Sequence, residues 1–171
     1  MIFFLIGFMG SGKTHWGKIW SAKFAYHFID LDEEIEKIEG KTIADIFEFK
    51  GEAYFRKVEA ATLRSIPANE NTIVSCGGGT PCFYENISWM NNNGSSIYLS
   101  TTPAEILERV IAETDKRPLI KKMNPAELLF FIEKTLKDRA EFYNVATITV
   151  LSNKLTEQSF INFILPQQSI S

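Results

Sequence analysis

Gly7-Phe8-Met9-Gly10-Ser11-Gly12-Lys13-Thr14 decides the fold class of this chain. Five apolar residues, Ile2-Phe3-Phe4-Leu5-Ile6, come directly before it and read as a buried strand, and a helix-like segment from Trp16 to Phe24 follows. Strand, glycine-rich turn, Lys-Thr and helix is the context that the phosphate-loop pattern G-x-x-x-x-G-K-[ST] requires. The glycines let backbone N–H groups close around phosphate oxygens with no Cβ in the way. The helix that follows directs its positive end at the same anion. Gly10, Ser11, Gly12, Lys13 and Thr14 are therefore candidate contacts for ATP, with Lys13 reaching the β- and γ-phosphates and the Thr14 hydroxyl reaching a magnesium ion.

The 171 residues suit one domain with a real core, and 45% hydrophobic with 23% charged residues is the balance of a soluble globular protein. No apolar run approaches the length of a membrane span, and the loop begins too early to follow a signal peptide. A net charge of −3 argues against a general nucleic-acid binder, so anionic ligands require positive charge concentrated in one cleft. Cys76 and Cys82 lack zinc-site partners and are too few for a disulfide framework, which points to reduced thiols in a cytoplasm.

Short apolar runs alternate with helical patterns along the whole chain, the signature of an α/β fold with a parallel sheet covered by helices. Strands are expected at Ile2–Ile6, His27–Ile29, Thr72–Cys76, Ser96–Leu99 and Thr147–Leu151. Helices are expected at Lys13–Phe24, Glu33–Ile38, Ile43–Phe49, Gly51–Arg64, Phe83–Asn91, Pro103–Ala112, Pro125–Tyr143 and Thr156–Ile164. Thr42, Thr102 and Asn124 stand at three helix starts as caps. The stretch from Glu113 to Met123, with Lys116, Arg117, Lys121 and Lys122, has little apolar periodicity; it suits either a mobile loop over a polyanion or a solvated linker. Pro166–Ser171 is polar and is expected to be a frayed tail.

Three further stretches bear on chemistry. Asp30 and Asp32 close the second strand, where residues two apart point to one side, so both carboxylates can face the cleft at the sheet's carboxyl edge. They can hold magnesium through water and accept a substrate proton; alternatively Asp32 only caps the next helix. Cys76-Gly77-Gly78-Gly79-Thr80-Pro81 follows the third strand, and three consecutive glycines there suggest backbone approached closely by a ligand or another segment. Ser75 is placed to hold a magnesium-bound water. Arg56 has Glu52 at i−4 and Glu59 at i+3, which an ordinary surface ion pair explains. Arg139 is unremarkable by periodicity, and the phenylalanines at 47, 49 and 55 read as core.

Taken in order, G-F-M-G-S-G-K-T, Asp30-x-Asp32, Ile43-Ala44-Asp45-Ile46-Phe47, Gly51-Glu52-x-x-Phe55-Arg56-x-x-Glu59, Gly77-Gly78-Gly79, Arg117-Pro118-Leu119 and Arg139-x-x-x-Tyr143 resemble shikimate kinase. The match runs from about residue 1 to residue 151. The resemblance implies a three-layer α/β/α fold, a five-stranded parallel sheet of order 2-3-1-4-5, and a single domain over 1–171 with a mobile lid at about 112–124. It implies ATP- and magnesium-dependent phosphorylation of the 3-hydroxyl of shikimate in aromatic amino acid biosynthesis. Asp32 would orient or deprotonate that hydroxyl, while Arg56 and Arg139 clamp the shikimate carboxylate beside Gly77, Gly78 and Gly79. Glu59 would orient Arg56, and Asp30 would sit near magnesium through water with Thr14. Arg117 would close over the transferring phosphoryl group, with Arg109 and the Asn153–Lys154 region near the adenine. No nucleic acid, membrane or protein partner is implied, and the working form is a cytoplasmic monomer.

His15 and Trp16 stand where a small hydroxylated or aliphatic residue is more usual, and Asn153-Lys154-Leu155 lacks the arginine or proline expected near the adenine. Other readings are a gluconate or nucleoside-monophosphate kinase of the same architecture, or a nucleotide-dependent regulatory module. A guanine reader of the form Asn-Lys-x-Asp is missing, because Asn153-Lys154 is followed by Leu155-Thr156.

Overall fold

A computed structural model describes residues 1–67, 71–112 and 123–163. Its order is β1 (Ile2–Ile6), α1 (Lys13–Phe24), β2 (His27–Asp30), α2 (Leu31–Glu39), α3 (Ile43–Arg64), β3 (Thr72–Ser75), a 3₁₀ turn (Thr80–Cys82), α4 (Asn86–Asn93), β4 (Ser95–Ser100), α5 (Pro103–Ala112), α6 (Pro125–Tyr143), β5 (Ile148–Leu151) and a second 3₁₀ turn (Ser152–Lys154). All strands run parallel in the order β2-β3-β1-β4-β5, as the resemblance implies.

β1 lies at the centre and is buried throughout, which explains its unbroken apolar sequence. Its alternating side chains build two cores. Ile2, Phe4 and Ile6 pack with Leu31, Ile46, Phe55, Leu63 and Tyr143 on one face. Phe3 and Leu5 pack on the other with Trp20 of α1 and with Phe160 and Phe163 beyond β5. A smaller cluster of Phe8, Ile106, Val110, Leu128 and Ile132 fastens the loop after β1 to α5 and α6. Among the described residues, no helix is long and apolar enough to cross a membrane.

Register determines what meets at the carboxyl edge of the sheet. Leu5 is level with Ser75 and Asp30 with Ser75, so the loops after β1, β2 and β3 emerge side by side. As expected, Ile43–Phe49 and Gly51–Arg64 are two helical stretches, joined within α3 by a kink at Gly51, where φ is 78° and ψ 169°. Two local readings are corrected. The helix expected over Phe83–Asn91 runs from Asn86 to Asn93, because Thr80–Cys82 first closes a separate turn with proline inside it. Among the described residues beyond Thr156, the chain makes successive i+3 turns, with the Thr156 amide donating to the Ser159 hydroxyl, and is α-helical at 161–163. The expected lid and tail lie almost wholly outside the described residues.

Candidate active site

The loop between β1 and α1 is built as its sequence requires. Gly10 and Gly12 have φ of 76° and 93°, a region that side chains other than glycine rarely adopt. Gly12 caps α1 with no side-chain cap, which leaves the positive end of the helix open to an anion. The Lys13 ammonium curls back over the loop and donates to the carbonyls of Gly7 and Phe8, each at 2.9 Å. Ser11 is fully buried, and among the described residues its hydroxyl is the buried side-chain oxygen without a hydrogen bond.

Beside the loop, the Thr14 hydroxyl donates to Asp30 Oδ2 at 2.9 Å and lies 3.0 Å from the Ser75 hydroxyl. Two hydroxyls and a carboxylate thus converge at the end of three adjacent elements. Hard oxygen donors of this kind suit magnesium, which retains water and takes few protein ligands.

Asp30 also caps α2, accepting from the Asp32 amide. Asp32 therefore stands in the first turn of a helix rather than at the end of a strand, and it is not the cap. Both carboxylates still face one cleft of about 650 Å³ lined by the phosphate loop, Ser75, Gly77 and Gly78. Burial, and then the neighbouring charges of Asp30 and Glu59, push the Asp32 carboxyl up to about 6, against the opposing pull of Lys13 and Arg56.

The triple glycine joins the two halves of this cleft. Its backbone is ordinary in φ, so glycine is needed for space. A Cβ on Gly77 would stand 3.1 Å from Asp32 Oδ1. One on Gly78 would stand 3.1 Å from Arg139 Nη1 and 3.5 Å from the Gly7 carbonyl. One on Gly79 would meet Arg56 Nη2 at 2.5 Å. The segment is therefore wedged between the phosphate loop and two guanidinium groups. The Tyr143 phenol pins it by donating to the Gly78 carbonyl at 2.6 Å. Burial pushes that phenol up to about 12, so it remains a donor at any physiological pH.

Arg56 is not the surface residue that its spacing allows. It is 8% exposed and pairs through Nη1 with Glu59 Oε2 at 2.9 Å, while Glu59 has no exposure at all. Nε and Nη2 reach Glu52 Oε1 at 3.2 Å on the outer side, and the Phe83 ring lies 4.3 Å from the guanidinium carbon. Of the phenylalanines read as core, Phe55 is buried, but Phe47 is 37% and Phe49 70% exposed. Phe47 packs on Phe55, and Phe49 carries the Lys41 ammonium over its face.

Lys13, Asp32, Arg56, Arg139, Thr14, Asp30 and the triple glycine are thus brought together. Arg109 lines the same cleft and donates to the Gly10 carbonyl at 3.0 Å. Lys154 does not line it; that side chain borders a separate shallow hollow with Val150 and Leu155, and Ser152 takes its place in the cleft. Arg117 lies outside the described residues. His15 and Trp16 also line the cleft, with Trp16 stacked on Trp20. Phe83 against Arg56, Thr80 on Glu59 and Asn86 behind Thr80 are not evident from the sequence, because they depend on a turn that periodicity does not reveal.

Residues 9–167 match the family model for shikimate kinase. A shikimate kinase from Azobacteroides pseudotrichonymphae genomovar. CFP2 is 42% identical over 165 residues, covering 96% of this chain and 97% of that one. The crystal structure of shikimate kinase from Bacteroides thetaiotaomicron superposes with a TM-score of 0.90 at 34% identity, covering 99% of each chain. The shikimate kinase from Acinetobacter baumannii in complex with shikimate does so with a TM-score of 0.81 at 31% identity, covering 98% of this chain and 92% of that one.

Proposed function

The chain belongs to the shikimate kinase family, and from that premise we propose that it transfers the γ-phosphoryl group of ATP to the 3-hydroxyl of shikimate, with magnesium, in aromatic amino acid biosynthesis. The observation that carries this reading is the Gly77–Gly79 wedge, which touches a nucleotide loop on one side and two arginines on the other. The loop and Lys13 take the phosphates. Arg56 and Arg139 take the substrate carboxylate, for which guanidinium forks supply paired donors. Asp32, between them, accepts the hydrogen bond of the attacking hydroxyl. Thr14 and Asp30, the latter through water, would hold the magnesium, with Ser75 beside them; when bound, the ion neutralises charge on the phosphates.

Arg109 backs the nucleotide end of the cleft, and Arg117 supplies positive charge at the transferring group. On this reading the working form is a monomer in the cytoplasm. Product isolated after turnover should carry phosphorus on the 3-oxygen, read as phosphorus–proton coupling to that ring position. Phosphate on another hydroxyl would overturn the placing of Asp32.

The state of Asp32 sets a pH dependence. Above about 6 the carboxylate is ionised and accepts the hydroxyl's hydrogen bond; below it, protonation removes that acceptor. The ratio kcat/KM for shikimate should therefore fall on the acid side of about 6, by about tenfold per pH unit once well below it. Asp32→Asn should give a much lower rate without that acid limb, and an unchanged profile in the variant would remove Asp32 from the role.

A further inference from the structure

The Glu59 carboxyl group has no exposure, so both of its oxygens need partners within the protein. Oε2 accepts from Arg56 at 2.9 Å, and Oε1 accepts from the Thr80 hydroxyl at 2.6 Å. Thr80 is wholly buried and is held without help from Arg56. Its amide donates to the Gly77 carbonyl at 3.1 Å. Its carbonyl accepts from the buried Asn86 side-chain amide at 2.9 Å, and Asn86 Oδ1 accepts from Arg64 Nη1 at 2.7 Å. Arg64 ends α3, the helix that carries Arg56 and Glu59, so Thr80 is tied to that helix at two points in its C-terminal half.

We propose that Thr80 is a positioning residue for the acceptor substrate: its hydroxyl occupies Oε1 of Glu59, limits Glu59 to a one-oxygen contact with Arg56, and so leaves the Nη1 and Nη2 protons that Glu59 and Glu52 do not take available to the substrate carboxylate. Without that hydroxyl, Glu59 gains by turning to accept from a second guanidinium nitrogen, the two-bond geometry this pair favours. The fork then faces inward, and the substrate loses its partner. Thr80 touches neither ATP nor shikimate in this arrangement, so its effect passes through Arg56 alone. The inference rests on the reading of Arg56 as a carboxylate clamp.

The test is steady-state kinetics of Thr80→Val, Thr80→Ala and Thr80→Ser. Removing one hydrogen bond to a buried charge should raise the shikimate KM about tenfold in the Val and Ala variants. The ATP KM should stay within about twofold, since the change acts on one substrate only. Thr80→Ser, which restores the hydroxyl, should return the shikimate KM to the parent value. In an Arg56→Lys background Thr80→Val should add nothing, because an ammonium has no fork to misdirect. An unchanged shikimate KM, an equal rise for ATP, a Ser variant as poor as Val, or a full additive rise in the Arg56→Lys background would each overturn the role. A parent chain that releases no ADP with shikimate would instead overturn the clamp reading beneath it.

Discussion

Lys13→Met should lower turnover with saturating ATP and shikimate by about 10²–10³, the usual effect of removing one preorganised donor from a developing charge. The side chain is already folded over the loop, bound to the Gly7 and Phe8 carbonyls. It therefore has no long search to make when phosphate arrives, and only a short swing from carbonyl to phosphate oxygen is needed. Methionine fills a similar volume without charge, so the loop and α1 should fold as before, with an unchanged circular dichroism spectrum. Single-turnover measurements should place the loss in the chemical step, with shikimate affinity unchanged. A variant keeping more than about a tenth of the parent rate would remove Lys13 from charge stabilisation.

Arg56→Ala should have the second largest effect, and it has two parts. Loss of a guanidinium fork from a carboxylate site should raise the shikimate KM by about 10²-fold or more, since a buried charge pair loses about 2–5 kcal/mol on truncation. The second part concerns folding. Glu59 has no exposure, and Arg56 is the cation paired with it. Breaking a buried pair by removing one partner costs about 3–5 kcal/mol, because the other charge stays buried. For a domain of this size, that should lower the melting midpoint by roughly 10 °C. Arg139 is less buried, so Arg139→Ala should share the KM effect with a much smaller change in melting. Equal thermal losses in the two variants would contradict the buried pairing.

How far the sequence could be read follows from which interactions are local. The phosphate loop is local: eight consecutive residues specify strand end, turn and helix start, and the structure has them as expected. Strand order follows from the parallel βαβ pattern together with the family resemblance. Arg56 shows where local reasoning stops. Its partners at i−4 and i+3 look like a solvated helix face, yet the turn at Thr80–Cys82 folds over that face and buries it. No periodicity in α3 records the arrival of a turn more than twenty residues away. The triple glycine did signal close approach, but what approaches differs at each position: Asp32, then Arg139, then Arg56. Strand alternation puts Asp32 at the end of β2, whereas the Asp30 carboxylate caps α2 and starts that helix two residues earlier than expected. The resemblance places Lys154 near the adenine; in the structure its side chain borders Val150 and Leu155, and Ser152 of the same 3₁₀ turn lines the cleft.

Under the proposed function, one cleft holds a nucleotide loop and a carboxylate clamp for the same reaction. The most direct test couples ADP release to an optical signal, with ATP and magnesium present and shikimate, gluconate or AMP offered as acceptor. ADP release that depends on shikimate, and is abolished by Lys13→Met, is the predicted result. Release that depends on gluconate or AMP but not on shikimate would contradict it.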